Sequence, residues 1–266
     1  APWINNSIFY WVEKLLARYT DILVVINRED YKSGGRFRLR DDGKLYHIPG
    51  VGLDMKKFCI LSEEERQKNR EAFGIGPDKF FLVSVGENNG NKNQGVILKA
   101  LALMRDRGRD ISDVVYGICG DGYFRERIER QVRELKLEDH VKIFGYRRDI
   151  PGMLGCADMS VFPSKREGLG MAALESLAMG IPVAASDNRG TREYMEDGYN
   201  GYLCDHGDPE SFIRGIEKIR NMDEAQRERM KIRCRESAAR FDKRYTGRIM
   251  RAVYRNAEKR TTGEGL

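Results

Sequence analysis

Short apolar runs rich in β-branched residues alternate with amphipathic stretches from about residue 80 onward. The runs are FFLVSVG, DVVYGICG, HVKIFG, DMSVFP, PVAASD and GYLC, beginning at Phe80, Asp113, His140, Asp158, Pro182 and Gly201. Most are continuously apolar, as strands buried on both faces of a sheet are. Helical patterns lie between them at 92–107, 123–135, 149–154, 171–179 and 209–221, each short enough for a crossover connection. The alternation predicts an α/β fold, with a complete parallel sheet wrapped by helices.

Residues 1–48 show a shorter pattern of helix (SIFYWVEKLLARY), strand (DILVVIN), helix and short strand (KLYHI). Two strands are too few for an independent doubly wound domain. We therefore interpret 1–48 as the tail of an amino-terminal, acceptor-side Rossmann-like domain whose beginning is absent from this chain. The alternative interpretation is that these residues cap the one full domain.

The segment IPGVGLDMKKF combines two glycines and a proline with an Asp, which is typical of an inter-domain linker. We accordingly predict a linker at 49–59 and a complete Rossmann-like domain at 60–240. The remaining residues, 241–266, are predicted to form a carboxy-terminal helix that packs back toward the amino-terminal domain.

The composition, 41% hydrophobic and 33% charged, is typical of a soluble globular protein. No apolar run is long enough to span a membrane, and no stretch has the pattern of a secretory signal. The five scattered cysteines form no CxxC pair, and the three histidines lack metal-ligand spacing. These features favour a cytoplasmic protein.

The net charge of +6 is compatible with nucleic acid, anionic lipid or a phosphorylated ligand as partner. Basic residues crowd the stretch RERMKIRCRESAARFDKRYTGRIMRAVYRNAEKR, which also carries apolar residues at helical spacing. Two interpretations remain open for this stretch: solvated faces of packed helices, or a peripheral association with a membrane surface. Aromatic and basic residues do not interleave in the manner of RNA-binding modules, so no nucleic-acid partner is expected.

The most informative loop follows the run DMSVFP and enters a helix near Met171. Ligands of parallel α/β sheets bind beyond the carboxyl ends of the strands. A helix start supplies unpaired N–H groups and the positive end of a dipole, and Gly168 and Gly170 remove the Cβ atoms that would keep an anion away. Residues Gly168, Leu169, Gly170 and Met171 are therefore predicted to hold a phosphate-like group.

Glu167 and Glu175 flank this loop. Glu175 lies within the otherwise apolar helix MAALESLAMG, where a buried carboxylate needs hydrogen-bond donors. Sugar hydroxyls would serve, and so would an internal arginine or a backbone N–H group, so both readings stay open.

A second candidate phosphate loop, VGENNGNKNQ, leaves a strand at Gly86 and is predicted to enter a helix around Lys92. A lysine near a helix start adds a point charge to the dipole, although such lysines are often only solvated. The segment FGYRRDIP places Arg147 beyond another strand end. The turn ICGDGY has glycines but not the full GxGxxG pattern of a dinucleotide site.

Together these motifs resemble the family-four retaining glycosyltransferases of the GT-B fold. EGLGMAALE, with Glu167 and Glu175 eight positions apart, looks like that family's EX7E signature. IPGVGLD, SVGENNGNKNQ, GDGY, FGYRRDIP and SDNRGTREYMEDGYNGYL look like its linker, phosphate loop, nucleotide-side turns and the segment after the signature. The likeness is strongest to the bacterial subgroup that assembles capsular or exopolysaccharide chains.

The resemblance implies transfer of a sugar from a nucleotide-diphosphate donor to a hydroxyl of a growing glycan, free or lipid-linked, with retention of anomeric configuration. Glu167 and Lys92 would be the catalytic groups, because Glu167 would contact the donor sugar and Lys92 would neutralise the diphosphate. Glu175 would accept hydrogen bonds from the ribose, and Arg147 would flank the base. The amides of 168–171 would meet the sugar and the diphosphate.

The resemblance also places the protein in the cytoplasm, at the inner face of the membrane where the acceptor is lipid-linked. No metal or other cofactor is expected, since no DxD-type pair lies beside these loops. One position departs from the family pattern: Glu87 follows Gly86 where many members carry arginine, so more of the donor charge falls on Lys92.

Two other functions are compatible with the residues. One is a nucleotide-sugar-binding fragment without activity of its own, because the amino-terminal domain is incomplete. The other, a glycoside hydrolase using Glu167 and Glu175 as acid and base, is disfavoured because that chemistry needs carboxylates facing each other across the scissile bond.

Overall fold

The computed structural model describes residues 2–41 and 43–262, with side chains for 8–41 and 43–259. The chain divides into two compact units. Unit 1 comprises 1–53 and 241–266, and unit 2 comprises 54–240. The segment predicted as a linker, 49–59, is thus shared between the two units.

Unit 1 contains a two-stranded parallel sheet and the two ends of the chain. Its elements are α1 (Pro2–Leu16), a 3-10 turn (Ala17–Tyr19), β1 (Ile22–Val25), α2 (Arg28–Gly34), β2 (Lys44–His47) and the carboxy-terminal helix α10 (Lys243–Thr262). Leu53 is buried and joins the start of α10 through two backbone hydrogen bonds, from its own N–H to Phe241 O (2.7 Å) and from Lys243 N–H to its carbonyl (2.8 Å). Residues 241–266 therefore belong to the same unit as 1–53.

Unit 2 is built on a six-stranded, wholly parallel sheet. Its strands are β3 (Phe80–Val85), β4 (Val114–Cys119), β5 (Val141–Gly145), β6 (Met159–Phe162), β7 (Val183–Ser186) and β8 (Gly201–Cys204). They lie in the order β5-β4-β3-β6-β7-β8, which is the doubly wound order of a Rossmann-like domain. Their side chains are mostly buried, as expected for strands covered by helices on both faces. The predicted α/β fold and all six predicted strands are confirmed.

The helices of unit 2 are α3 (Glu63–Ala72), α4 (Gly95–Asp106), α5 (Arg125–Glu134), α6 (Ile150–Gly155), α7 (Met171–Ala178), α8 (Pro209–Arg220) and α9 (Glu224–Ala239). Five of them match the predicted crossovers. Helix α3 was not predicted, because most of its residues are charged and its apolar periodicity is weak. Its start was nevertheless encoded as a capping box, in which Ser62 Oγ accepts from Glu65 N–H and the Glu65 carboxylate accepts from Ser62 N–H.

The predicted start of α4 was wrong. The helix begins at Gly95 rather than at Lys92, because Asn93 has a left-handed backbone (φ 57°) and interrupts the helical geometry. Lys92 instead belongs to a turn in which Asn89 Oδ1 accepts from the N–H groups of Asn91 (3.0 Å) and Lys92 (2.9 Å).

A buried arginine fastens α3 to the sheet. Arg70 is 1% exposed, and its guanidinium donates to the carbonyls of Cys156 (3.1 Å) and Gly76 (3.0 Å) and pairs with Asp158 Oδ2 at 3.3 Å. Asp158 also accepts from the N–H of Phe81 at 2.6 Å, where β3 begins. The charge pair and its hydrogen bonds thus link α3, β3 and β6, and losing Asp158 would leave the buried Arg70 without a compensating charge.

Within the ranges that the structure describes, no helix is both long and apolar enough to cross a bilayer.

Candidate functional site

The strand order of unit 2 creates one topological switch point, between β3 and β6. The chain leaves β3 toward β4 and β5 on one side, whereas β6, β7 and β8 extend on the other. In open α/β sheets the crevice outside the carboxyl ends of such neighbouring strands is where ligands bind. The loops that fill this position are 86–94, after β3, and 163–170, after β6.

The first loop is held by close backbone packing against the turn after β4. A Cβ on Gly120 (φ 145°) would lie 1.8 Å from the Gly86 carbonyl oxygen, and one on Gly122 would lie 2.6 Å from the Asn88 oxygen. Asn88 Nδ2 donates to the carbonyl of Gly120 at 3.0 Å. The glycines of the ICGDGY turn therefore permit one loop to support another. Glu87 accepts from the side-chain amide of Asn89 at 2.9 Å, within its own loop.

The second loop ends at Gly170, which caps α7 in a left-handed conformation (φ 87°). A Cβ at Gly170 would lie 2.8 Å from both the Phe162 ring and the Tyr194 hydroxyl, so only glycine fits. Tyr194 donates a hydrogen bond to the Gly170 carbonyl at 3.0 Å. Burial, reinforced by the nearby Glu167 charge, raises the pKa of Tyr194 well above its usual value, so the hydroxyl remains a donor.

The start of α7 is uncapped in the sense that its N-cap residue, Gly170, has no side chain with which to bond the amides of the first turn. The positive end of the helix dipole lies at this start, beside the crevice. This is the arrangement expected of an anion-binding helix start.

The loop after β7 packs against the backbone of the second loop. A Cβ on Gly190 would lie 2.8 Å from Leu169 N and 2.9 Å from Glu167 O. Asn188 Nδ2 donates to the carbonyl of Ser164 at 3.1 Å, while its Oδ1 accepts from the N–H of Gly190 at 3.0 Å. Backbone contact this close fixes the path of residues 164–169.

Lys92 and Glu167 meet where the two loops converge. Lys92 Nζ lies 2.7 Å from Glu167 Oε1, and the two side chains are 24% and 15% exposed. The Lys92 chain passes over Gly86, where a Cβ would lie 3.2 Å from its Cε, and its ammonium lies 5.1 Å from the Phe162 ring centroid. The sheet order thus brings together two predicted residues 75 positions apart. An arriving anion must share Lys92 with Glu167 or displace it.

Glu175 lies half-buried in the first turns of α7. Burial raises the pKa of its carboxyl to about 7, opposed only in part by the charge of Lys57. Neither a hydrogen bond nor an ion pair reaches this carboxylate from side chains 8–41 and 43–259 or from the described backbone. The internal arginine and the backbone amide that the sequence left open are therefore not its partners in this part of the chain.

Arg147 follows β5, two strands away from β3. Its guanidinium lies 5.1 Å from the ring centroid of Phe73, and among the described side chains it contacts neither Lys92 nor Glu167. Its role beside the base therefore stays a prediction.

Sequence reasoning missed the residues that hold the loops in place. Each of these residues bonds to or packs against the backbone of a site loop: Asn88, Asn89, Asn188, Gly190 and Tyr194. Asparagine and glycine clusters are turn signals, but a turn signal does not tell which distant loop its side chains will bond.

A cavity of about 510 Å³ lies at the amino-terminal ends of the strands, away from the switch-point loops. Its lining includes Phe80, Asp158 and Pro182, at the starts of β3, β6 and β7. None of the predicted site residues lines it. Its walls carry acids and bases together, and several of these are already paired, as Arg66 is with Asp158 at 2.6 Å. We place the functional site at the switch point, where the convergent loops and the uncapped helix lie.

The fold is of the GT-B type. The crystal structure of Anabaena Alr3699/HepE in complex with UDP-glucose matches with a TM-score of 0.83 at 21% identity, over 96% of this chain and 70% of that one. Identity at this level establishes the fold alone.

The chain belongs to the family of group 1 glycosyl transferases, whose pattern it matches over residues 65–237. It is 37% identical over 254 residues to EpsD of Bacillus subtilis (strain 168), a predicted glycosyltransferase, covering 96% of this chain. It is 27% identical over 213 residues to the Escherichia coli UDP-Gal:alpha-D-GlcNAc-diphosphoundecaprenol alpha-1,3-galactosyltransferase. The chain spans 65% and 54% of the lengths of these two relatives.

Proposed function

We propose that unit 2 binds a nucleotide-diphosphate sugar and that this chain serves a retaining glycosyltransferase of polysaccharide biosynthesis. The observation that carries the proposal is the meeting of Lys92 and Glu167 at the β3/β6 switch point, beside the uncapped start of α7. The Alr3699/HepE structures hold UDP, glucose and UDP-glucose, and the 37%-identical EpsD is a predicted glycosyltransferase. These relatives support a nucleotide-sugar donor here.

The diphosphate occupies the α7 start in this proposal. The amides of 168–171 and the helix dipole face its oxygens. The Cβ that Gly170 lacks would point at Phe162 and Tyr194 and not at an anion, so this glycine serves the packing of the loop, in contrast to the role predicted from the sequence. Lys92 exchanges its bond to Glu167 for one to the diphosphate. Glu167 is thereby released to accept hydrogen bonds from hydroxyls of the donor sugar.

The reaction breaks the bond between the anomeric carbon and the diphosphate oxygen and forms one to the acceptor oxygen. The acceptor hydroxyl attacks from the face that the diphosphate leaves, which retains the configuration, and gives its proton to an oxygen of the departing diphosphate. The nucleoside diphosphate leaves with the electron pair of the broken bond. Negative charge grows on the leaving oxygen in the transition state, where Lys92 and the helix start stabilise it most strongly. No divalent cation is needed for this step in the proposal.

Glu175 and Arg147 complete the proposed donor site. The carboxylate of Glu175, desolvated and without a protein partner in the described residues, accepts hydrogen bonds from the ribose hydroxyls. Arg147 flanks the base from the end of β5. Gly86 keeps the first loop open beneath the Lys92 side chain.

The acceptor we propose is a hydroxyl of a growing glycan, free or lipid-linked, reached on the cytoplasmic side of the membrane. The Escherichia coli relative is named for a diphosphoundecaprenol-linked acceptor, which supports a lipid-linked one.

Calorimetric titration of the chain with UDP, GDP and their sugars tests the donor site. Lys92→Ala should weaken binding of the nucleotides and of their sugars at least tenfold, because it removes a charged partner of the diphosphate worth about 1.5–3 kcal/mol. Glu167→Ala should weaken the nucleotide sugars by a similar factor but not free UDP or GDP, because Glu167 contacts the sugar. Lys99→Ala, which removes an exposed lysine of α4, is the matched control and should bind normally. Equal affinity of all four proteins, or no binding by any of them, would contradict the assignment.

A turnover assay with the same donors and a glycan acceptor separates the enzyme from a binding module. Sugar transfer with retained configuration supports the full proposal. Binding without transfer favours the nucleotide-sugar-binding fragment instead.

A further inference from the structure

The net positive charge of this protein lies in the smaller unit. Unit 1 carries 15 of the 47 lysines and arginines but only nine of the 41 aspartates and glutamates. The other 32 basic and 32 acidic residues cancel within unit 2. The whole net charge of +6 therefore belongs to unit 1, and the proposed donor site does not account for it.

Helix α10 carries much of this excess. Residues 243–259 contain six basic residues and a single acidic one, Glu258. Arg248, Arg251 and Arg255, here called the arginine row, are spaced three and four positions apart, so they share one face of the helix. All three are exposed.

The arginine row has no acidic partner in the part of the chain whose side chains are described. Its one described contact is the guanidinium of Arg248 over the Tyr245 ring, at 5.7 Å. On the opposite side of α10, Thr246 and Val253 are each 4% exposed, and Thr246 Oγ1 donates to the Pro49 carbonyl of unit 1 at 3.1 Å. The helix thus presents a fixed row of unneutralised guanidinium groups.

We infer that the arginine row docks unit 1 on the anionic phospholipid headgroups of a membrane surface. A guanidinium group can donate two parallel hydrogen bonds to two oxygens of one phosphate, and clustered basic residues are attracted to anionic leaflets. Tyr245 (45% exposed) and Tyr254 (62% exposed) lie on α10 beside the row, and tyrosine rings favour the headgroup level. Because the apolar side of α10 is occupied within unit 1, the helix rests on the headgroups and does not insert.

The expected strength follows from the number of charges. Each basic residue close to an anionic surface contributes about fivefold in affinity, so the three together contribute on the order of 100-fold. The attraction is screened by salt, since the Debye length falls from about 10 Å at 0.1 M to about 3 Å at 1 M.

Vesicle co-sedimentation of the chain tests the inference, comparing mixed phosphatidylglycerol–phosphatidylcholine vesicles with pure phosphatidylcholine. Replacing the arginine row by glutamine should lower binding to the anionic vesicles on the order of 100-fold, and replacing it by lysine should restore most of it. The matched control replaces Arg130, Arg133 and Arg229 of unit 2 by glutamine. These are also exposed helical arginines without a described acidic partner, and the same charge is removed.

Loss of binding in the arginine-row variant alone, with unchanged thermal unfolding, supports the docking surface. Three results overturn it: no binding of the unaltered chain to anionic vesicles, an equal loss in both triple variants, or tighter binding of the row to duplex RNA than to vesicles. No nucleotide enters the assay, so its outcome is separate from that of the donor-site titration.

Discussion

Glu175 offers a test in which stability and ligand affinity move in opposite directions. Burial raises the pKa of this carboxyl from 4.5 to about 7. One pKa unit corresponds to 1.36 kcal/mol, so the ionised carboxylate costs the folded state roughly 3 kcal/mol above neutral pH. Because the folded pKa lies above the unfolded one, this cost is absent below about pH 4.5, grows as the pH rises, and is complete above about pH 7.

The substitution Glu175→Gln removes the charge and keeps the shape. We expect the variant to unfold at a higher temperature than the unaltered protein at pH 8.5, by about 6–12 °C for a unit of this size. The difference should shrink toward zero as the pH is lowered to 5. The control Glu134→Gln, which changes an exposed carboxylate of α5, should shift the unfolding temperature little at either pH.

Ligand binding should respond in the opposite sense. If ribose hydroxyls donate to the Glu175 carboxylate, nucleotide binding favours its ionised form, so affinity rises between pH 6 and pH 8 and a proton is released. Calorimetry at pH 7 in two buffers of different ionisation enthalpy measures that proton directly. The glutamine variant should release none and should bind at least tenfold more weakly at pH 8.

A glutamine variant that gains no stability at pH 8.5 would show that the Glu175 carboxylate is not desolvated. A variant that gains stability but binds nucleotide with unchanged affinity and proton release would refute the contact between Glu175 and the ribose.

Two further variants probe the framework of the site. Tyr194→Phe keeps the buried ring but removes the hydrogen bond to the Gly170 carbonyl at 3.0 Å, so nucleotide affinity should fall about fivefold with little change in fold; unchanged affinity would show that α7 is positioned without it. Arg70→Met removes one of the two arginines that pair with Asp158 and leaves the buried carbonyls of Cys156 and Gly76 without this donor, so urea unfolding should show a loss of about 2–4 kcal/mol with an unchanged slope. A loss below 1 kcal/mol would mean that this pair does not hold α3.

Local pattern was enough to locate most elements. The six strands of unit 2 are apolar runs of four to six residues, and each was recognisable without knowing its neighbours. Helix α3 escaped because its residues are mostly charged, so its apolar periodicity is weak, whereas its capping box was a purely local signal. The start of α4 was misplaced because the left-handed Asn93 cannot be read from spacing.

The residues of the candidate site also differ in whether local sequence could predict them. The glycine-punctuated loop before α7 and the glutamates at positions 167 and 175 could be selected from sequence, since loop, helix start and apolar context are all contiguous. The residues that contact them could not be selected from the sequence, because they lie far away along the chain. Arg147 was predicted to flank the base because it follows a strand, whereas its described contact is with the Phe73 ring.

The sequence by itself determined which segments become strands and helices and which loop can receive an anion, because those properties depend on residues within a few positions of each other. Only the tertiary structure decided that β3 lies beside β6, and hence that Lys92 reaches Glu167 across 75 positions. It also decided that α10 buries one face and leaves its arginine row exposed. Such outcomes depend on which surfaces pack together, and packing is a property of the whole unit.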